Sequence, residues 1–153
     1  MRTKKEKLII GWREWVKLPD LGISAIKVKV DTGARSSSLH ASDLEFYMRR
    51  GKEFARFTVC PIQRSSKKVI KTSAQVLEYR KIKSSNGSIS KRPVIVTDIE
   101  LMGMKWPIEV TLANRDEMGF RMLLGRESFR NHMLVDAGNS YYGEKLKRKR
   151  AKK

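Results

Sequence analysis

The sequence predicts an all-β fold, in which many short strands joined by turns form a closed or sandwiched structure. The first observation is the alternation of apolar and polar residues, as between Ile26 and Val30, which is typical of a strand with one buried face. The second is the turn dipeptides between such segments, of which Asn86-Gly87 is the strongest. The third is the scarcity of helical patterns: one short helix is expected near residues 126–131.

The N-terminal part is expected to contain two strands. Leu8–Leu18 is strand-like, and Pro19–Gly22 consists of turn residues that end it. Ser24–Val30 forms the second strand and carries Asp31 at its end. The end of a buried strand suits a reactive carboxylate.

The middle of the chain contains four strand-rich segments that form two hairpin patterns. These segments are Leu44–Met48, Phe54–Val59, Val69–Lys83 and Ile89–Leu101. The first two flank the loop Arg49–Glu53, which contains a glycine, and the last two flank Ser84–Ser88, which contains Asn-Gly. Both patterns predict antiparallel hairpins.

The last third of the chain is also rich in strands. Its apolar segments are Trp106–Leu112, Phe120–Leu124 and Met133–Asp136. A polar loop, Asn114–Gly119, separates the first two segments. The short helix is expected at Arg126–Asn131, directly before the last strand.

The length of 153 residues is that of one domain. We expect the folded domain to span residues 8–140, between a basic N-terminal extension, residues 1–7, and a basic tail, residues 141–153. The formal charge of +18 indicates anionic partners. The tail has almost no apolar content and is expected to be disordered. It is either a solvated terminus or a site of weak contact with RNA, the ribosome or an acidic protein.

Two features of the sequence bear on the compartment. The single cysteine, Cys60, excludes an intrachain disulfide, and it lies in the strand-like segment Phe54–Ile62, where we expect a buried and inert thiol. The apolar run Leu8–Trp12 is too short for a signal peptide or a membrane span. We therefore expect a cytoplasmic protein without a membrane partner.

Asp31-Thr32-Gly33 is the candidate catalytic motif. Asp31 would supply one half of a dyad in which two carboxylates share a proton and one acts as a base on water. Thr32 would hydrogen-bond across the dyad axis, and Gly33 would permit a tight turn and the close approach of a partner chain. Because the chain carries one such motif, catalysis requires a homodimer with a twofold axis.

Leu123-Leu124-Gly125-Arg126 is the second motif and is expected to support the first. The two leucines would lie behind the active loop, and Gly125 would let the chain pass close to it. Each motif alone is common in unrelated proteins. Their order, with strands between them, indicates a shared site.

The two motifs resemble those of the retropepsin-like aspartic peptidases, which are small β-barrels active as homodimers. The segments Asp31–Ala41, Glu78–Gly87, Arg92–Ile95 and Phe120–Arg126 resemble more closely a bacterial family labelled ATP-dependent zinc proteases, which is associated with the ATP-grasp ligase that adds glutamates to a ribosomal protein. The similarity covers residues 8–140. It implies a closed acid-protease barrel and a homodimeric aspartic endopeptidase. Its implied substrate is an acidic cytosolic protein, with a glutamate-modified ribosomal protein and its ligase as candidate partners.

The resemblance also implies that the hairpin of residues 69–94 is a flap over the substrate. The expected substrate-binding residues are Ala34, Arg35, Arg80, Lys81, Asn86 and Gly87. The cations among them would favour anionic side chains in the cleft. The alternative is that they are ordinary exposed residues of a very basic protein.

No metal or cofactor is expected. A zinc site needs three or four suitable ligands, and the sequence has two histidines, His40 and His132, one cysteine and no His-Glu-x-x-His motif. A glycine-rich phosphate loop is also absent from the sequence. The alternative function is a non-catalytic basic module that binds RNA, the ribosome or an acidic protein, and whose binding to phosphates would weaken steeply with salt.

Overall fold

The computed structural model describes residues 7–61, 69–83, 87–114 and 119–143. These residues form eleven strands and two 3₁₀ turns, which confirms the predicted all-β fold. The strands are β1 (Leu8–Gly11), β2 (Arg13–Leu18), β3 (Ile23–Asp31), β4 (Ser37–His40), β5 (Ser42–Arg49), β6 (Lys52–Val59), β7 (Ile70–Lys83), β8 (Ile89–Leu101), β9 (Met104–Ala113), β10 (Met122–Gly125) and β11 (Met133–Asp136). The 3₁₀ turns are Pro19–Leu21 and Arg126–Ser128.

Nine strands form one sheet in the order β2-β3-β10-β4-β9-β8-β7-β6-β5. Strand β2 also pairs with β8 through Lys17 and Glu100. The first six strands therefore form a ring of pairings, and β7, β6 and β5 extend from it. Alternate side chains of the ring strands, such as Val16, Ile26 and Leu124, are buried in one core cluster.

The predicted strand Leu8–Leu18 is divided at Trp12. Strand β1 pairs in parallel with β11, whereas β2 pairs antiparallel with β3. The segment after β11 lies against the division: the Trp12 N–H donates to the carbonyl of Asn139 at 2.9 Å. A Cβ atom on Gly11 would lie 2.4 Å from the same oxygen, so that only glycine permits this contact.

Strand β4 is an element that the sequence analysis did not identify. It starts with two serines and lacks the alternation of apolar residues that marks the other strands. It forms because it lies between two partners, with Ser37 opposite Val110 of β9 and Leu39 opposite Met122 of β10. Tertiary pairing therefore overrides the weak local signal.

The predicted helix at residues 126–131 is wrong, since this segment contains a 3₁₀ turn that ends at Ser128. The N–H groups of Phe129 and Arg130 both donate to the carbonyl of Arg126. Those of His132 and Met133 both donate to the carbonyl of Phe129. The segment therefore forms two successive turns, each with one carbonyl that accepts two hydrogen bonds, in place of the regular hydrogen bonds of a helix. Strand β11 follows directly at Met133.

The two predicted hairpins are confirmed by the pairing of β5 with β6 and of β7 with β8. Arg50 and Gly51 connect the first pair and both have positive φ, as the right-handed twist of a two-residue hairpin requires. Cys60 follows β6 and is half-buried, not fully buried as expected. Within the described residues, no helix has the length and apolar character needed to cross a membrane.

Candidate active site

Asp31 lies at the end of β3, opposite Gly125 of the parallel strand β10. Its side chain is partly buried, whereas the next two residues, Thr32 and Gly33, are exposed. The Gly33 N–H donates to Asp31 Oδ1 at 3.0 Å, and the Ala34 N–H donates to the Asp31 carbonyl at 3.2 Å. This turn fixes the carboxylate. Its other oxygen, Oδ2, accepts no hydrogen bond from the described residues.

The chain after Gly125 is bonded directly to the loop that follows Asp31. The Arg126 N–H donates to the carbonyl of Ala34 at 2.8 Å, and the Glu127 N–H donates to that of Arg35 at 3.2 Å. A Cβ atom on Gly125 would lie 2.5 Å from the carbonyl carbon and oxygen of Ser36. Glycine is therefore the one residue that fits between β10 and the loop.

The remaining residues of the second motif surround the same loop. Leu123 and Leu124 are buried in β10, where Leu124 lies opposite Val30 of β3. Arg126 is directed to the loop itself, since its Nη1 lies 3.5 Å from the carbonyl oxygen of Thr32 and 3.4 Å from that of Gly33. Its charge therefore faces backbone carbonyls beside Asp31.

A buried polar network behind the loop was not predicted from the sequence. Ser37 Oγ accepts a hydrogen bond from the Gly125 N–H at 3.0 Å and lies 2.5 Å from Ser128 Oγ. The Ser128 carbonyl accepts a hydrogen bond from Trp106 Nε1 at 2.7 Å, and the Ser37 carbonyl accepts one from Thr111 Oγ1 at 3.1 Å. These bonds connect β4, β9, β10 and the 3₁₀ turn. No periodic pattern marks such serines, because their partners lie far along the chain.

A cavity of about 960 Å³ adjoins the loop. It is lined by the segment 33–37, by residues 80–83 of β7, by residues 106–109 of β9, and by Glu127, Ser128 and His132. Asp31 itself is two residues from the first lining residue. The expected substrate residues Ala34, Arg35, Arg80 and Lys81 all line the cavity, so the fold brings them to one place.

Arg80 is held by two carboxylates. Its Nη2 donates to Glu109 Oε1 at 2.6 Å and to Oε2 at 3.1 Å, and its Nε donates to Glu78 Oε1 at 2.8 Å. The hydrogen bonds to Glu109 and Glu78 raise the pKa of Arg80 above its ordinary value. Arg35 and Lys81, in contrast, are exposed and form no ion pair with the described residues.

The last two expected substrate residues belong to the loop between β7 and β8. Asn86 lies outside the described residues. Gly87 is exposed and has a φ of 88°, in the left-handed region that favours glycine. A glycine is therefore suited to this turn, but Gly87 is not among the described residues that line the cavity.

The described residues do not fit a zinc ion. No three side chains among the histidines, cysteine and carboxylates of this part of the chain converge on one point. His132 packs its ring on Trp106 with centroids 4.6 Å apart. The Nδ1 atom of His40 is buried and has no hydrogen-bond partner in the described structure, but His40 belongs to no group of three potential metal ligands among the described residues.

A buried carboxylate outside the cavity was also missed. Glu14 is fully buried and accepts hydrogen bonds from the N–H groups of Gly11 at 2.7 Å, Tyr142 at 2.8 Å and Gly143 at 3.1 Å. It thereby binds the segment after β11 to the start of β2. The signal was present in the sequence, because Glu14 has the same parity as the inward-facing Val16 and Leu18.

The same segment contributes to a series of alternating rings and cations. The Arg13 guanidinium lies 4.6 Å from the ring of Trp12 and 5.0 Å from that of Tyr141. Lys27 Nζ lies 5.9 Å from the ring of Tyr141 and 5.4 Å from that of Trp15. Trp15 is 40% exposed, so this surface is both basic and aromatic.

Comparisons with known proteins identify relatives along most of the chain. Residues 9–145 match the family described as RimB-like, "Retropepsin-like aspartic endopeptidase RimB". The chain is similar to proteins named "Probable alpha-L-glutamate ligase" from Shewanella halifaxensis, with 49% identity over 135 residues, and from Desulfotalea psychrophila, with 45% over 130 residues. These alignments cover 88% and 85% of this chain but 30% and 28% of the two ligases. The chain thus spans less than a third of their length.

A solved structure shares the fold. The crystal structure of a protein of unknown function from Legionella pneumophila superposes with a TM-score of 0.77 at 28% sequence identity. The superposition covers 90% of this chain and 99% of that chain.

Proposed function

Because the chain belongs to the RimB-like family of retropepsin-like aspartic endopeptidases, we propose that it is an aspartic endopeptidase that acts as a homodimer. Each subunit would contribute one Asp31 to the catalytic dyad. Two carboxylates a few ångströms apart cannot both ionise cheaply, so they share one proton. The ionised partner then acts as a base on a water molecule that attacks the peptide carbonyl.

The observation that carries this proposal is the position of Asp31. Its carboxylate is fixed at a strand end by Gly33 and is supported from behind by Gly125, while Oδ2 has no partner among the described residues. The exposure of Thr32 and Gly33 leaves room for the same loop of a second subunit. In this interpretation, the ring of six strands is the closed acid-protease barrel.

The charges around the cavity support an acidic substrate. Arg35, Lys81 and Lys83 line it without an ion pair to any described residue. The cavity carboxylates, Glu109 and Glu127, are instead each paired with an arginine. Since the curated relatives are named as glutamate ligases, we propose a glutamate-extended cytoplasmic protein as the substrate class. A glutamate-modified ribosomal protein and its ligase are the partners that fit it best.

Substitution Asp31→Asn tests the proposal. The variant preserves the side-chain shape but cannot share a proton as a carboxylate pair does, so cleavage of a glutamate-tailed peptide should be lost. Sedimentation should show dimers for both wild type and variant. As a matched control, Asp43→Asn makes the same chemical change at an exposed position of β5 and should leave cleavage unchanged. Wild-type turnover by Asp31→Asn would reject the assignment.

The second candidate function is a non-catalytic basic module that binds RNA, the ribosome or an acidic protein. It is favoured by the basic and aromatic surface formed by the exposed Trp15 and the half-buried Lys27 and Tyr141. Binding to RNA would weaken by orders of magnitude between low and moderate salt. It would also weaken in Trp15→Ala, because stacking on an aromatic ring contributes about 1–3 kcal/mol per base. The rate of peptide cleavage should be unchanged by Trp15→Ala and by removal of the basic tail.

A further inference from the structure

Glu109 forms an ion pair with Arg80, one of the cavity cations expected to bind an acidic substrate. It lies on β9 and reaches across β8 to Arg80 on β7, and both of its oxygens accept hydrogen bonds from Nη2 of that arginine. Both residues line the cavity beside the Asp31 loop. The carboxylate that Arg80 binds in this structure therefore belongs to the protein itself.

The ion pair between Arg80 and Glu109 is accessible enough for another carboxylate to replace that of Glu109. The side chain of Arg80 is 32% exposed and that of Glu109 is 45% exposed, so a released Glu109 would regain water at little cost. Glu78 also holds Arg80, since both Nε and Nη2 of the arginine donate to its Oε1. Within the described residues, Nη1 of Arg80 donates to no acceptor. The guanidinium is thus oriented by one carboxylate, while the cavity-facing carboxylate can be replaced.

We propose that Glu109 is an internal competitor of the substrate, and that an acidic side chain of the bound peptide displaces it from Arg80. The substrate class rests on the proposed function above. When a carboxylate of the peptide replaces that of Glu109, Arg80 remains in an ion pair. A neutral side chain of the peptide cannot form that ion pair. The exchange therefore discriminates against neutral peptides, because only an anionic side chain compensates for the broken ion pair.

Peptide binding to the Asp31→Asn protein tests this proposal without turnover. The probes are a fluorescent hexaglutamate peptide and its hexaglutamine counterpart, with dissociation constants measured by anisotropy at fixed salt. Glu109→Gln should bind hexaglutamate about two- to fivefold more tightly, which is the factor for an exposed ion pair. Binding of hexaglutamine should not change. Arg80→Gln should weaken the binding of hexaglutamate.

A charge-conserving variant separates displacement from a general change of potential. Glu109→Asp keeps the charge but is one methylene shorter, so its carboxylate should hold Arg80 less well and hexaglutamate should again bind more tightly. Glu45→Gln removes one charge at a pair with Arg56 outside the cavity and should have no effect. In an Arg80→Gln background, Glu109→Gln should lose its effect as well.

Several outcomes would overturn the proposal. Weaker hexaglutamate binding by Glu109→Gln would mean that Glu109 only positions Arg80. The same affinity for hexaglutamate in Glu109→Asp and wild type would mean that Glu109 acts only through its charge on the overall potential. Equal tightening by Glu109→Gln with and without Arg80 would mean the same. The absence of hexaglutamate binding would reject the site. If the expected changes in hexaglutamate affinity are observed but the wild type does not cleave glutamate-tailed peptides, the peptidase proposal is refuted. The proposal that Glu109 competes with an acidic ligand would then still stand.

Discussion

Replacing Gly125 with alanine tests whether the contact between β10 and the Asp31 loop is as close as the structure indicates. The added Cβ would lie 2.5 Å from the carbonyl carbon and oxygen of Ser36 and 2.9 Å from the carbonyl carbon of Arg35. These are backbone atoms and cannot rotate away. The two segments must therefore separate by about 1 Å to reach ordinary van der Waals contact.

The free-energy cost follows from the bonds that this separation strains. The N–H groups of Gly125, Arg126 and Glu127 all donate across the contact, to Ser37 Oγ and to the carbonyls of Ala34 and Arg35. Overpacking costs about 1–3 kcal/mol, and each weakened hydrogen bond costs up to about 1 kcal/mol. We expect the free energy of unfolding to fall by about 3 kcal/mol, and Tm to fall by about 6–12 °C.

Urea unfolding followed by tryptophan fluorescence measures this loss, with Gly138→Ala as the matched control. A Cβ on Gly138 would meet its nearest atom, Asp136 Oδ1, at an ordinary 3.5 Å, so its cost should stay within about 0.5 kcal/mol. If the Gly125 variant lost less than about 1 kcal/mol, or no more than the control, the close approach of β10 to the loop would be refuted.

Three further predictions concern the buried polar groups and one tyrosine. Ser37→Ala should lower the free energy of unfolding by about 2 kcal/mol, because two buried groups lose their partner; a change below about 0.5 kcal/mol in urea would contradict the network. Glu14→Gln should cost about 1–3 kcal/mol in the same assay, since the amide nitrogen that replaces one carboxylate oxygen cannot accept a hydrogen bond, and at least one of the three backbone N–H groups loses its acceptor. Burial, followed by the hydrogen bond to Glu53, raises the pKa of Tyr79 to about 12. Its stabilising contribution is therefore complete below its ordinary value and is lost as pH rises towards 12. Ultraviolet titration should show a late tyrosinate step that Tyr79→Phe removes and Glu53→Gln moves to lower pH; an unmoved step would exclude this hydrogen bond.

The parts of the fold with regular alternation could be predicted from the sequence. Strand β3 and both hairpins follow from the alternation of apolar residues and from turn residues, which are local signals. Strand β4 could not be found, because its serines acquire a strand conformation only between β9 and β10. The helix predicted after Gly125 was wrong because the start of β11 at Met133 limits the segment to two turns.

Some residues of the candidate site could likewise be predicted from local sequence, and others could not. Asp31 and Gly125 are recognisable because their motifs are contiguous in the sequence. Ser37, Ser128 and Glu109 act through partners on other strands, and no local pattern reveals such pairs. Arg80 was expected from its charge, but the two carboxylates that hold it were not, since long-range ion pairs depend on the register of neighbouring strands.

The pairing of β3 with β10 also has a consequence for biosynthesis. Thr32 and Arg126, which meet beside Asp31, are 94 residues apart in the chain. Translation proceeds from the N-terminus, so the ribosome releases the aspartate long before it releases the strand that supports it. A nascent or truncated polypeptide that ends before β10 therefore lacks the scaffold of the loop, and the candidate site can form only after most of the described strands have been synthesised.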